Sequence, residues 1–338
     1  MSDSTIVVKE ASTWGTAVTP DRTFCLLGSG ESLDYLPEII KSGAHCWAKR
    51  GAAAAGEAVI RRAGGGNIPL EVSTVGFGFW WKMCMGSSVS AQVGATTVYQ
   101  QVHKLASASM PFFTVQKLVQ SYNPTTGAFT TAPFTWAAQM VKSWTLTIPE
   151  SGIATLTVTT TGGGVVTATA AVTPAARDAD DHLLHSGGAS LSTGAYVAPG
   201  ATTLATAATP VAGVRSLTIT VDNNIQTQPG WGTAVLRPIP GAMPTVTGTL
   251  NVDFVTGGPF TAAFLDRTDL TLLATLSAIE NSDELVQIAI PSLRVNGGGI
   301  PQAGSPTDMQ QLSVSFEAMR VADPELITVV NRTYDTTI

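Results

Sequence analysis

The residues most capable of chemistry form a short acidic and histidine-rich run between Pro174 and Gly187. Its members are Asp178, Asp180, Asp181, His182 and His185. On a helix, the HxxH spacing would place the two imidazoles on one face, where they could ligate zinc. Zinc also needs a further ligand and groups that orient the ligands, whereas the surrounding low-complexity sequence is typical of a solvated acidic loop. We therefore expect no metal here, and an enzyme built around His182 and His185 is the least favoured interpretation.

Other catalytic signatures are missing from the sequence. It contains no GxSxG nucleophile elbow, no GKS or GKT phosphate loop and no HExxH pair. A glycine-rich run at 28–32 lacks the third glycine of a dinucleotide-binding fingerprint, so we expect a plain loop there. His45 and His103 stand apart from candidate relay partners, and we expect both to be structural. The sequence predicts a protein that is not an enzyme and needs no cofactor.

Charge and cysteine content argue against several classes of protein. The 338-residue chain has 12% charged residues and a net charge of -6, whereas nucleic-acid readers neutralise phosphates with lysine and arginine. Cys25, Cys46 and Cys84 lack metal-ligand spacing, so we expect buried thiols in a reducing compartment and no disulfides. The chain does not open with a basic segment followed by an apolar one. We expect synthesis in the cytoplasm and no insertion into a membrane.

Alternation of apolar and polar residues is the strongest pattern and predicts a mainly β protein. Threonine and serine dominate the polar positions, so each predicted strand has one apolar face and one hydroxyl-rich face. Glycines 162–164 and asparagines 223–224 are expected to form turns. The predicted strands are 143–148, 155–159, 216–222, 245–254 and 312–317.

Helical signals are few and short. The segment 75–85 packs four aromatic side chains, including Trp80 and Trp81, too densely for an exposed strand. We expect a core helix or a subunit contact there in preference to a ligand pocket. A second helix is predicted to begin at Pro259 in the segment 259–276, whose later part is also compatible with a strand.

The simplest organisation is a single β domain over residues 1–338. It has an N-terminal arm at 1–20 and a Thr/Ala-rich insertion of unassigned structure at 167–212. The segments 28–66 and 171–210 are rich in Gly, Ala, Ser and Thr with weak periodicity, so both are expected to be long loops.

The order of several short motifs resembles that of phage tail tube proteins. The run from Lys9 to Pro20, with Trp14 as its aromatic residue, is similar to the start of these chains. Glu31, Ser32 and Leu33 resemble their ESL motif, which is followed by a loop. The series continues with segments similar to the family's at 37–43, 69–86, 103–115, 144–156, 216–224 and 246–250, whereas 167–212 departs from the pattern.

This resemblance implies a β-sandwich or barrel-type tail tube fold with a short flanking helix and long loops. It implies hexameric rings that stack into a tube around a tape measure protein, with tail terminator and baseplate or tip proteins as further partners. The genome would pass through the lumen without specific binding. The protein would be located in the virion after assembly in the host cytoplasm, and no catalytic residue is carried over.

The hydroxyl-rich strand faces suit the wall of such a lumen. Hydroxyl groups and sparse carboxylates hold phosphates weakly, so DNA would slide past them. We therefore expect Asp222, Asp253 and Glu317 at or near the lumen.

Subunit contacts are expected at Trp14, Leu33, Trp80 and Trp81. The segments 12–18 and 28–66 are expected to join stacked rings. The alternative to a tube subunit is a β-rich virion decoration or host-binding module, which would remain a monomer or stop at a trimer.

Overall fold

Regular structure in the computed structural model is mainly β, as the alternation predicts. The model describes residues 5–27, 29–42, 57–106, 109–166, 170–227, 237–255, 258–301, 310–320, 325–336 and 338. The strands are β1 (Thr5–Ala11), β2 (Arg22–Cys25), β3 (Asp34–Lys41), β4 (Glu57–Glu71), β5 (Gly86–Gln92), β6 (Tyr99–Leu105), β7 (Phe112–Asn123), β8 (Ala128–Ile148), β9 (Thr155–Gly163), β10 (Val165–Val166), β11 (Ala189–Val197), β12 (Thr206–Pro210), β13 (Val214–Asp222), β14 (Ile225–Gln226), β15 (Ile239–Pro240), β16 (Thr245–Asp253), β17 (Leu270–Ser277), β18 (Leu285–Gly297), β19 (Gln311–Ala318) and β20 (Thr328–Thr333). The helices are α1 (Gly78–Met85) and α2 (Pro259–Asp266).

The five strands predicted from alternation are confirmed as parts of β8, β9, β13, β16 and β19. Their apolar side chains point into the core while their polar side chains stay accessible. In β19, for example, Leu312, Val314 and Phe316 are buried and the residues between them are exposed. Strict period-two alternation therefore identified the strands that have one face on the core.

A single antiparallel run of strands, β3-β4-β9-β8-β13-β16-β19-β18, forms one part of the fold. The first half of β18 pairs instead with β17 and β20, which connect it to β11–β12 and to β6–β5. Similarly, the first half of β8 pairs with β7, which leads to β1 and β2. Within the described residues this sheet does not close into a barrel.

The apolar faces of these parts pack together as a β-sandwich with α1 in its core. Trp80 and Trp81 are completely buried, and they meet Phe113 and Trp144 edge to face at centroid distances of 5.7 and 5.8 Å. The predicted helix at 75–85 is confirmed, although it begins at Gly78, and it ends where Gly86 adopts a φ of 88°.

The second predicted helix is also confirmed. α2 begins at Pro259, whose fixed φ suits the first helical position. It ends at Asp266, and β17 occupies the later part of the predicted segment. Neither helix, nor any other in the part of the chain that the structure describes, is long and apolar enough to span a membrane.

The two predicted long loops are wrong in large part. β3 and β4 occupy much of 28–66, and β4 lies inside the sheet between β3 and β9. β11 and β12 form a hairpin within 171–210, and β11 also pairs with β17. Strands β4, β11 and β12 contain many Gly, Ala and Thr residues, so their stability comes from backbone pairing more than from an alternating apolar face. His45 and Cys46 lie outside the described residues.

The predicted turn at glycines 162–164 is wrong as well, because Gly162 and Gly163 belong to β9 and pair with β8 and β4. A Cβ at Gly162 would lie 2.1 Å from the carbonyl oxygen of Ala138. Glycine therefore permits a close approach of two backbones here. The turn at 223–224 is confirmed by the φ of 49° at Asn224, and the Asn224 amide donates to Asp222 Oδ1 at 2.8 Å.

Candidate functional site: a hydroxyl-covered sheet face

The acidic and histidine-rich run is extended and irregular where its HxxH spacing would require a helix. His182 Nδ1 lies 2.8 Å from Oε2 of the buried Glu284, and Asp181 is paired with Arg177 at 3.0 Å. His185 Nδ1 accepts a hydrogen bond from the Gly187 amide. Among the described residues, no group of three His, Cys, Asp or Glu side chains is arranged to hold a metal ion. The contact of His182 with Glu284 fastens the run to the rest of the fold, as does the hydrogen bond that the Val75 amide donates to Asp181 Oδ1 at 3.0 Å.

The largest coherent polar feature is the face of the sheet that points away from the core. We call it the hydroxyl face and define it by the outward residues of β9, β8, β13, β16 and β19. Strand register aligns these residues in rows that cross the strands. One row is Thr157, Thr145, Thr220, Thr247 and Glu317; a second is Thr155, Thr147, Thr218, Thr249 and Ser315; a third is Thr159, Ser143, Asp222 and Thr245.

Neighbouring polar side chains on and beside the hydroxyl face hydrogen-bond to one another across strands. Thr145 Oγ1 and Thr220 Oγ1 are 3.1 Å apart, and Asn251 Nδ2 donates to Ser216 Oγ at 2.8 Å. Because threonine is stiff at χ1 and pairs well with threonine across strands, these rows form a fixed surface. The face presents methyl and hydroxyl groups and little net charge.

Carboxylates of the face are matched by neighbouring donors. Arg215 Nε donates to Asp253 Oδ1 at 3.0 Å, and its Nη1 donates to Glu150 Oε1 at 2.6 Å. The hydrogen bonds to Asp253 and Glu150 raise the pKa of the Arg215 guanidinium. This arginine is therefore engaged by two carboxylates and offers little free positive charge to a passing phosphate.

Glu317 lies at the other rim of the face. Its Oε2 accepts from Asn296 Nδ2 at 3.3 Å, and its register partner Arg294 is itself paired with Asp269 at 2.7 Å. Each rim therefore has one cation for two carboxylates: Arg294 with Asp269 and Glu317 here, and Arg215 with Asp253 and Glu150 at the other rim.

The structure brings together the three carboxylates predicted from the sequence for one surface. Asp222 lies opposite Thr245, Asp253 opposite Gln311, and Glu317 opposite Thr247, all on the hydroxyl face. Sequence reasoning missed Arg215 and Glu150, because neither belongs to an alternating run. The signal in the sequence that could have pointed to this pair is the position of Arg215, directly before the alternating run of β13.

The residues predicted for subunit contacts are placed differently. Trp80 and Trp81 are 0% exposed and Leu33 is 6% exposed, so all three side chains lie inside the subunit. Their own chain covers all of the surface of the two tryptophans and nearly all of that of Leu33. Trp14 is half-buried and packs edge to face on Phe112 at 5.4 Å.

The cysteines and His103 can also be placed. Cys84 is buried, as expected, and burial raises the pKa of its thiol. Cys25 is exposed, so its predicted burial is wrong; it lies on the short strand β2, at the margin of the core. His103 is fully buried on β6, in agreement with a structural role.

Comparison with known proteins now identifies the family. A search of curated proteins gives no match. The family model for phage tail tube proteins matches residues 1–318, which is nearly the whole chain. The fold agrees with that result, since it is a mainly antiparallel β-sandwich with two short helices. The chain belongs to the phage tail tube protein family.

Proposed function

We propose that the protein forms hexameric rings which stack into a tail tube, with the hydroxyl face turned toward the lumen. The observation that carries this proposal is the hydroxyl face itself, whose aligned rows of Thr and Ser cross five adjacent strands. Because Arg215 is engaged by Asp253 and Glu150, and Glu317 adds a further carboxylate, the face would offer DNA no row of free cations to bind. DNA would therefore pass along the wall during ejection, after release of a tape measure protein.

Strand polarity in the run from β3 to β18 supports ring closure. This run contains eight strands, antiparallel throughout, so its two edges, β3 and the second half of β18, point in opposite directions. The first half of β18 is not an open edge, because it pairs with β17 and β20. Copies related by rotation would meet edge to edge in antiparallel pairing, which would continue the sheet around the ring. Pairing of the edges would also remove the aggregation hazard of open strands.

We assign the predicted subunit-contact residues two kinds of role. Trp14, which is half-buried, would contact a neighbour directly. Leu33, Trp80 and Trp81 would act from inside the subunit, by fixing the segment before β3 and the position of α1. The segments 12–18 and 28–66 would lie between stacked rings, and terminator and baseplate or tip proteins would bind the tube ends.

Electron microscopy of the purified protein over a range of concentrations tests the proposal. We expect rings of six subunits and hollow tubes, with the hydroxyl face on the inner wall in a reconstruction. A protein that stays monomeric or trimeric at all concentrations would instead favour a decoration or host-binding module. Tubes with Asp222, Asp253 and Glu317 on the outside would refute the assignment of the wall.

A further inference from the structure

The hairpin of β7 and β8 continues beyond the sheet as a two-stranded ribbon, which we define as residues 119–134. β1 pairs with β7 only as far as Leu118, and β10 pairs with β8 only at Trp136 and Thr135. Among the described strands, the two strands of the ribbon therefore pair only with each other. Residues 120–131 are all exposed.

The composition of the ribbon is unusual for an exposed element. No residue from Leu118 to Val141 is charged. Tyr122 and Phe129 are 56% and 67% exposed and contact each other at a centroid distance of 5.3 Å. Proteins usually protect exposed strand edges with charge, proline or a covering element. The ribbon has two prolines, Pro124 and Pro133, but no charge, and an isolated two-stranded hairpin is only marginally stable in water. The ribbon has the properties of an element that is covered by another protein.

A second uncharged surface lies on the β11–β12 hairpin. No residue from Ser186 to Val214 carries a formal charge. β12 pairs with β11 and with no other described strand, so its outer edge is open. Ala208, Thr209 and Pro210 on this edge are exposed. From Thr206 to Thr209 this edge can accept an added strand without burying a charge, whereas Pro210 has no N–H to donate and ends it.

The two surfaces are related through β8. The ribbon tip begins at Ala128, the first residue of β8, whereas Ile148, its last, lines a cavity together with Leu191 and Val211 beside the β11–β12 hairpin. β8 has 21 residues, so at about 3.3 Å per residue its ends are at most about 66 Å apart. One subunit thus carries the two surfaces at the two ends of its longest strand.

We infer that the ribbon of one copy docks on the β12 edge of another copy, which makes a head-to-tail contact between successive rings. This inference rests on the proposed function. Both surfaces are uncharged, so neither charge desolvation nor repulsion opposes the contact. A membrane is the less suitable partner, because the open backbone edges of the ribbon would remain unsatisfied in lipid. A contact between two different surfaces need not close on itself, so it can repeat from one ring to the next, as stacking requires.

Two charge variants test the inference, because each removes one side of the contact. Phe129→Glu alters the ribbon and Ala208→Glu alters the β12 edge; both positions are exposed, so we expect folding to be retained. Each variant alone should give single rings or monomers. A mixture of the two should form two-ring stacks or dimers, because one unaltered ribbon then meets one unaltered edge. Val89→Glu, at an exposed apolar position on β5, is the matched control and should form normal tubes.

Electron microscopy and sedimentation read out the result, with circular dichroism to verify folding. Tubes from either variant alone at wild-type yield would overturn the inference while leaving the proposed function intact. Assembly defects without recovery in the mixture would also overturn it, since the two surfaces would then have other partners. Wild-type protein that never assembles would refute the proposed function and the inference with it. A last test uses neutral phosphatidylcholine vesicles. If wild-type protein floats with the vesicles and Phe129→Glu does not, the partner of the ribbon is a membrane and not a second copy, and the inference is overturned.

Discussion

Burial decides what single side chains do in this subunit. Trp80 and Trp81 contact Phe113, Trp144 and other aromatic rings in the core and have no exposed surface. Arg215, in contrast, is accessible but engaged by Asp253 and Glu150. The interior residues therefore determine whether the subunit folds. In the proposed tube, the paired charges at the surface would determine how the wall meets DNA.

Truncation of the buried Trp80 tests whether interior side chains stabilise the fold more than exposed ones do. We expect Trp80→Ala to lower the free energy of unfolding by about 3–5 kcal/mol, because it removes buried area and leaves a cavity. Denaturant unfolding of the monomer measures the change. The matched control is Phe129→Ala, at a position that is 67% exposed, for which the change should be below about 0.5 kcal/mol. Equal losses for the two variants would contradict the placement of Trp80.

The burial of His103 predicts that the fold loses stability in acid. Both of its ring nitrogens lack a hydrogen-bond partner among the described residues, and burial, with a smaller effect of Lys82, lowers its pKa to about 3. The unfolded chain binds a proton at this histidine below about pH 6.5, whereas the folded chain does not. The neutral His103 therefore contributes fully to the free energy of unfolding above about pH 6.5. As the pH drops toward 3, the free energy of unfolding falls by at most about 1.4 kcal/mol per pH unit through this histidine.

The variant His103→Gln checks the source of that sensitivity. Between pH 5 and 7, the free energy of unfolding should depend less on pH in this variant than in the wild type. An unchanged slope in His103→Gln would assign the effect to other groups.

Strands β4, β8 and β9 show how elements depend on small residues. We expect Gly162→Ala to destabilise the fold by at least about 2 kcal/mol, because its Cβ would overlap the carbonyl oxygen of Ala138 at 2.1 Å. The control Gly297→Ala places its Cβ on β18 with no atom within 4 Å. It should be neutral or slightly stabilising, by up to about 1 kcal/mol. Thermal melts of the two variants provide the comparison, and similar melting temperatures would contradict it.

The sequence predicted the strands whose apolar and polar residues alternate. It missed the strands that are held in place mainly by backbone pairing with neighbouring strands. Alternation identified β13, β16 and β19, and with them the shared face of Asp222, Asp253 and Glu317. It could not identify β4, whose Gly64, Gly65 and Gly66 have no side chains to alternate. β12 was missed because Ala and Thr give no clear apolar face. Aromatic density at Trp80 and Trp81 predicted α1 but could not distinguish a core from a subunit contact, because both bury large apolar side chains.

At the scale of the whole molecule, the proposed wall predicts how charge would change DNA transport. Replacing Thr247 and Ser315 by lysine adds two cations to exposed positions on the hydroxyl face. Tubes of this variant should retain duplex DNA with a salt dependence that is steeper by about 0.9 for each phosphate that the new lysines neutralise. Wild-type tubes should bind little. Retention is measured by co-sedimentation of short DNA with assembled tubes.

The control for this experiment is Val89→Lys, which adds a cation at an exposed position on β5, outside the hydroxyl face. Short DNA that enters the tubes should be retained by the double variant and not by the control. Equal retention would mean that the hydroxyl face is no closer to the passing DNA than β5 is.

The shared strand β8 has a mechanical consequence. Its first half forms one side of the ribbon and its second half lies in the middle of the hydroxyl face, paired with β9 and β13. In the proposed tube, a pull on the ribbon would therefore be carried by one covalent backbone into the wall. There it loads several rows of hydrogen bonds in shear, so that they must break together. A displacement that starts at one end of a tube would travel through such strands, and the tube could transmit force as well as guide its cargo.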